Sequence, residues 1–143
     1  MKEILIQLVT AFLGALGFAL LFGLHKRHLF FASFGGMITW GIYLLIHIFL
    51  QTPFLANLIA SVFAVSFAEA LAHWRKCPAT LFVMPSIVPL VPGSSLYYTM
   101  SYAVQNDLDK AHIYGQQTLI TALAIAAGIS FVTACRELHA ARR

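Results

Sequence analysis

The stretch Pro85-Ser86-Ile87-Val88-Pro89-Leu90-Val91-Pro92-Gly93-Ser94-Ser95 decides the fold. Three prolines and a glycine interrupt an otherwise apolar segment over residues 79–104. Proline has no amide hydrogen and its ring clashes with the preceding turn, so a regular helix breaks here. In hydrocarbon an open backbone survives only where protein covers it or a polar cavity solvates it. The expectation is a discontinuous membrane helix built around a site, as in many secondary transporters.

The rest of the chain supplies the membrane. Of its 143 residues 60% are hydrophobic and only 10% charged. Soluble domains carry about 25% charged residues, so a soluble class is excluded. The net charge of +4 is split into small clusters between apolar runs, the pattern of cytoplasmic loops rather than of a nucleic-acid surface. Five apolar segments follow one another over residues 4–24, 29–50, 53–72, 79–104 and 118–134. A bilayer core of roughly 30 Å needs about 20 helical residues. The expected fold is a single all-α integral membrane domain with five transmembrane helices, the fourth discontinuous at the Pro/Gly motif. The first segment is read as a retained span, because its apolar run exceeds that of a signal peptide and no cleavage pattern follows.

If the spans alternate, Lys26, Arg27, Arg75, Lys76, Arg136, Arg142 and Arg143 share one side, while Lys2 and Lys110 lie on the other. The positive-inside rule puts the N-terminus outside and the C-terminus in the cytoplasm. Cys77 and Cys135 then lie near a reducing face, where a disulfide is not expected. Residues 105–117 read as the longest loop, on the outer side. Small residues recur every fourth position: Ala56, Ala60, Ala64, Ala68 and Ala72; Ala11, Ala15 and Ala19; Ala122, Ala126, Ser130 and Ala134; with Ala32 and Gly36 in the second span. Such rows let helices approach closely in lipid. Five small helices make a thin bundle, so some of these ridges are expected to meet other chains in an oligomer.

Candidate sites cluster at the motif. Pro85, Pro89 and Pro92 hold the helix open, and the second half starts near Gly93 with Ser94 or Ser95 as its cap. The exposed amides and the helix dipole suit a carboxylate, and unwound carbonyls around residues 87–91 suit an ammonium group or a cation. Tyr97 and Tyr98 line the path outward, joined by Tyr102, although an interfacial belt explains Tyr102 equally well. Glu69 is the one acid inside a span and, with His73 one turn on, is the candidate for proton coupling. An interfacial acid pairing with His73 or Arg75 is the bland alternative. No metal motif, catalytic constellation or phosphate loop is present, so no cofactor, metal site, enzyme activity or direct use of ATP is expected.

The run from Pro85 to Met100 also resembles the signature of the bacterial threonine/serine exporter family, in the small-subunit form equivalent to the C-terminal membrane half of fused members. Gly17-Phe18-Ala19-Leu20-Leu21-Phe22, Gly35-Gly36 and Trp40-Gly41 agree with it; Ser86 stands where glycine is frequent. The resemblance implies a bacterial inner-membrane subunit working with a larger membrane partner. It also implies a small carboxylate cargo, threonine or serine first and a dicarboxylate such as succinate second. The competing reading is a non-transporting scaffold that stabilises a partner.

Overall fold

The computed structural model describes the backbone of residues 2–141 and the side chains of 2–138, so Arg142 and Arg143 and the His139 side chain lie outside the described residues. Six α-helices follow in order: α1 Lys2–Leu21, α2 Lys26–Leu50, α3 Pro53–Arg75, α4 Thr80–Ile87, α5 Gly93–Val104 and α6 Leu108–Ala141. A short 3-10 turn, Val88–Leu90, extends α4. The protein is all-α, with no strand among the described residues. Helices α1, α2, α3 and α6 are each long and apolar enough to cross a membrane, and α4 with α5 makes a fifth if the bent pair is one span.

Local chemistry sets the ends. Pro53 opens α3 at its first turn, where its missing amide hydrogen costs nothing. Three helices close with a left-handed residue followed by a return hydrogen bond: Gly23 (φ +67) with Leu24 N–H to Ala19 O, Lys76 (φ +54) with Cys77 N–H to Ala72 O, and Asn106 (φ +62) with Asp107 N–H to Tyr102 O. Asp107 then caps α6 by accepting from the Lys110 amide at 3.3 Å. Residues 105–117 are therefore not a loop but helical from Leu108. The polar residues of this stretch hid an amphipathic period. Ala111, Tyr114, Gly115 and Thr118 are buried or half-buried, with Tyr114 and Gly115 against α5, while Asp109, Lys110, His112, Gln116 and Gln117 are exposed.

The five-member alanine row is the inner seam. Ala56, Ala60, Ala64, Ala68 and Ala72 are all buried, with Ala60 and Ala64 against Ile87 and Leu90, and Ala68 and Ala72 clustered with Phe82. Lipid tails give no hydrophobic drive between helices, so contact area gained by small side chains holds such a seam. Helices α1 and α2 complete it through Ala15, Ala19, Ala32 and the Gly35-Gly36 pair. A Cβ on Gly36 would sit 2.6 Å from Ala15 Cβ and 2.9 Å from the Pro85 carbonyl oxygen. The row Ala122, Ala126, Ser130 and Ala134 is different, because all four are exposed. Helix α6 buries Thr121, Ala124, Ile125 and Gly128 instead.

Gly128 lies against Ser61 and Arg136 against Glu69, the same offset of 67 positions, so α6 runs parallel to α3. That register sets Ile120 opposite Pro53. The first twelve residues of α6 then run past the start of α3, about 18 Å at 1.5 Å per residue. Helix α5 packs antiparallel along this overhang, with Gly115 against Thr99 and Tyr114 against Tyr98 and Tyr102. Helix α4 packs on α1, α2 and α3, whereas α5 packs on α6 and buries no residue.

Candidate functional site at the helix break

The break is shorter than the motif suggested. Pro85 lies inside α4 and is buried; winding continues past it because Val88 N–H still reaches Met84 O. Val91 N–H then closes on Val88 O at 3.1 Å as a 3-10 bond. Val91 is extended (ψ 128), as a residue before proline prefers. Pro92 (φ −75, ψ 55) is the centre of an inverse γ-turn in which Gly93 N–H donates to Val91 O at 2.7 Å. The opening is thus confined to Val91 and Pro92, not spread over residues 87–91, and the two helical pieces meet at 54°.

The prolines nevertheless free a carbonyl. Pro89 has no hydrogen for Pro85 O, four residues earlier, and that oxygen faces Gly36. Beside it the Ser86 hydroxyl is fully buried, near Gly35, with no hydrogen-bond partner. One turn along α2 from Gly35, the Thr39 hydroxyl is buried and unpartnered too, as is the indole N–H of Trp40. A cavity of about 210 Å³ adjoins Trp40, lined also by Gln7, Thr10, Ala11 and Pro89. Unmade hydrogen bonds in a buried site are costly, so this concentration of polar groups marks the α1–α2–α4 side of the break.

The expected site residues divide into three groups. Pro85 and Pro89 lie against α1 and α2, with Pro92 at the turn itself. Gly93 and Ser94 are exposed and Ser95 is half-buried at the start of α5. Neither serine caps: Pro92 holds the N-cap position and no side chain bonds to the helix start, because the γ-turn leaves both serines already inside the helix. Among the described residues the Ser94 and Ser95 amides have no backbone acceptor, while Leu96 N–H bonds Pro92 O. Tyr98 joins Tyr102 and Tyr114 in an aromatic cluster with Lys110 over the Tyr102 ring at 5.2 Å. Lys110 Nζ also donates to Asp107 at 2.8 Å and holds that carboxyl below the usual carboxylate range. Tyr97 packs edge-on against Tyr98 and is exposed.

The threonine/serine exporter (ThrE) family model matches residues 7–135, which includes the whole break and every helix that packs around it.

The chain belongs to the threonine/serine exporter family.

It is a family of transporters, not of enzymes. A second comparison finds palmitoyltransferase akr1 of Schizosaccharomyces pombe, 32% identical over 56 residues. That match covers 39% of this chain and 7% of the yeast protein. No solved structure matches the chain.

In this exporter-family chain a third group of residues lies at the opposite end of the bundle. Glu69 pairs with neither His73 nor Arg75 but with Arg136 of α6, at 3.4 Å. The parallel register of α3 and α6 brings these two together across 67 positions, which no local spacing reveals. Arg75 instead stacks its guanidinium over Phe31 and Trp74, at 4.5 and 4.8 Å. Glu69, His73, Lys76, Cys77 and Arg136 line a cavity of about 640 Å³. Cys77 Sγ lies 3.8 Å from His28 Nε2. Gln7, Thr10, Thr39 and Trp40 were missed in the sequence. The available signal was polarity at helical spacing: Gln7 and Thr10, three apart, are the polar residues in the middle of an apolar first helix.

Proposed function

We propose that this chain is a subunit of a secondary exporter that moves small carboxylated metabolites out of a bacterial cytoplasm, threonine and serine first and dicarboxylates second. The observation that carries this reading is the 54° break at Val91–Pro92 within an apolar helix pair. Family membership supports a transporter role. The bare Ser94 and Ser95 amides and the dipole of the twelve-residue α5 receive the carboxylate. Tyr97 and Tyr98 follow it outward along α5. Proton coupling rests with Glu69 and His73.

The N-terminus lies outside and the C-terminus in the cytoplasm, since Lys26, Arg27, Arg75, Lys76 and Arg136 gather where the start of α2 meets the end of α3. A larger membrane subunit of the same family is the expected partner. Helix α5, whose packing among the described residues is on α6 and which buries no residue, supports an assembly of more than one chain. Efflux of labelled threonine from cells expressing this chain and its partner, with Pro92→Ala combined with Ser94→Ala, tests the site. The double variant is expected to reduce efflux to background while remaining in the membrane; undiminished efflux retires the site.

A further inference from the structure

We propose that the cavity at the basic end of the bundle is a carboxylate-binding vestibule in which Glu69 is the resident competitor. Its side chain occupies Arg136 until an incoming solute displaces it. The inference rests on the exporter reading above and assigns a loading site distinct from the break.

Four observations carry it. First, the cavity is large enough for a small metabolite, with Ala72 and Ala79 as the alanines in its lining. Second, its charge is unbalanced. Among the described residues Lys76 and Arg136 line it with one acid, Glu69, so an anion completes the site. Third, the Glu69–Arg136 contact, Arg136 Nη1 to Glu69 Oε1, is 3.4 Å long, well beyond the roughly 2.7–2.9 Å of a strong charge-assisted bond. The Arg136 side chain is 56% exposed, leaving most of its donor fork for a second carboxylate. Fourth, α4 begins beside the cavity with Ala79 as N-cap and no side-chain cap, so the positive end of a helix adds to the two cations. Lys76 lines the cavity from the left-handed backbone position that ends α3.

Displacement conserves charge pairing. The solute carboxylate takes the Arg136 fork and the Lys76 ammonium, and Glu69, 20% exposed, turns to water. Glu69 thereby keeps Arg136 from binding any passing anion tightly, which suits a site that must release its cargo inward to the break.

The test is isothermal titration of the full chain in phosphatidylcholine nanodiscs with L-threonine and, separately, succinate. Arg136→Gln is expected to weaken both by about tenfold or more, the loss of roughly one charge-assisted contact. Lys76→Gln weakens both less, and Arg136→Lys is intermediate, because it keeps the charge but loses the fork. Glu69→Gln tightens both by about threefold or more. Thermal unfolding of each variant separates a lost site from a lost fold. The proposal fails if the parent chain binds neither probe, if Arg136→Gln leaves affinity unchanged, or if Glu69→Gln weakens threonine alone, which would make Glu69 an ammonium ligand. It also fails if phosphatidylglycerol in the disc abolishes binding, which would assign the cations to a lipid headgroup. Only the first of these outcomes, a parent chain that binds neither probe, also counts against the break; the others leave it standing, and its own test is efflux by the Pro92 and Ser94 variant.

Discussion

Gly36 and Ser86 stand on either side of the α2–α4 contact, and they respond to substitution in opposite ways. A methyl group on Gly36 meets both Ala15 and the Pro85 carbonyl closer than van der Waals distance. Neither neighbour is a flexible side-chain end. Gly36→Ala is expected to destabilise the bundle by about 1–3 kcal/mol, the usual range for overpacking, read as a lower unfolding midpoint in detergent. Ser86→Ala removes a buried hydroxyl that makes no hydrogen bond. It is expected to hold or raise the same midpoint, since deleting an unsatisfied buried polar group relieves a penalty of about 1–3 kcal/mol. A clear fall in midpoint for Ser86→Ala would mean that the hydroxyl has a partner in the folded protein.

At the level of the element, Pro92 is the residue that turns α4 into α5. Replacing it supplies an amide hydrogen able to reach the Val88 carbonyl and lifts the restriction that holds Val91 extended. Pro92→Ala is therefore expected to straighten the pair. Spin labels at Thr80 and Val104 should move apart in a pulsed distance measurement, and an unchanged distance would assign the bend to packing on α6. Pro89→Ala acts differently. It returns a donor to the Pro85 carbonyl and leaves the γ-turn intact, so the label distance should hold.

The break was legible because proline spacing is a local, covalent signal. Its extent was not, because whether a proline opens a helix or is tolerated within it depends on neighbours. Pro85 remains inside α4, packed against Gly36 from another helix. The alanine row of α3 was likewise readable from its period of four, whereas the equal-looking row of α6 is exposed. Periodicity identifies a face and does not name its partner. Residues 105–117 were read as a loop because polarity outweighed the 111, 114, 115 and 118 spacing.

On the scale of the whole molecule, the register of α6 against α3 organises the chain. Gly128 fits so closely to Ser61 and the Leu58 carbonyl that a larger side chain has no room. Gly128→Leu is expected to separate α6 from α3 and abolish cross-linking between cysteines introduced at Ser61 and Ala127, while the contacts of α1 with α2 persist. The basic end offers a second test at this scale. A reporter fused at the C-terminus should be active in the cytoplasm, and one inserted at Asn106 active outside; the reverse pattern would overturn the orientation.

Helix α6 is one uninterrupted rod of 34 residues whose two ends answer to different neighbours. Its later turns belong to α3, and its earlier turns carry α5. Between α4 and α5 the chain itself offers only Val91 and Pro92 as a joint. The pair formed by α5 and the overhang is thus joined to the rest of the chain at two places, the γ-turn and the turns of α6 that pack on α3. One continuous helix thus spans both ends of the chain's packing, bearing the overhang beside α5 at its start and Arg136 of the basic cavity near its finish.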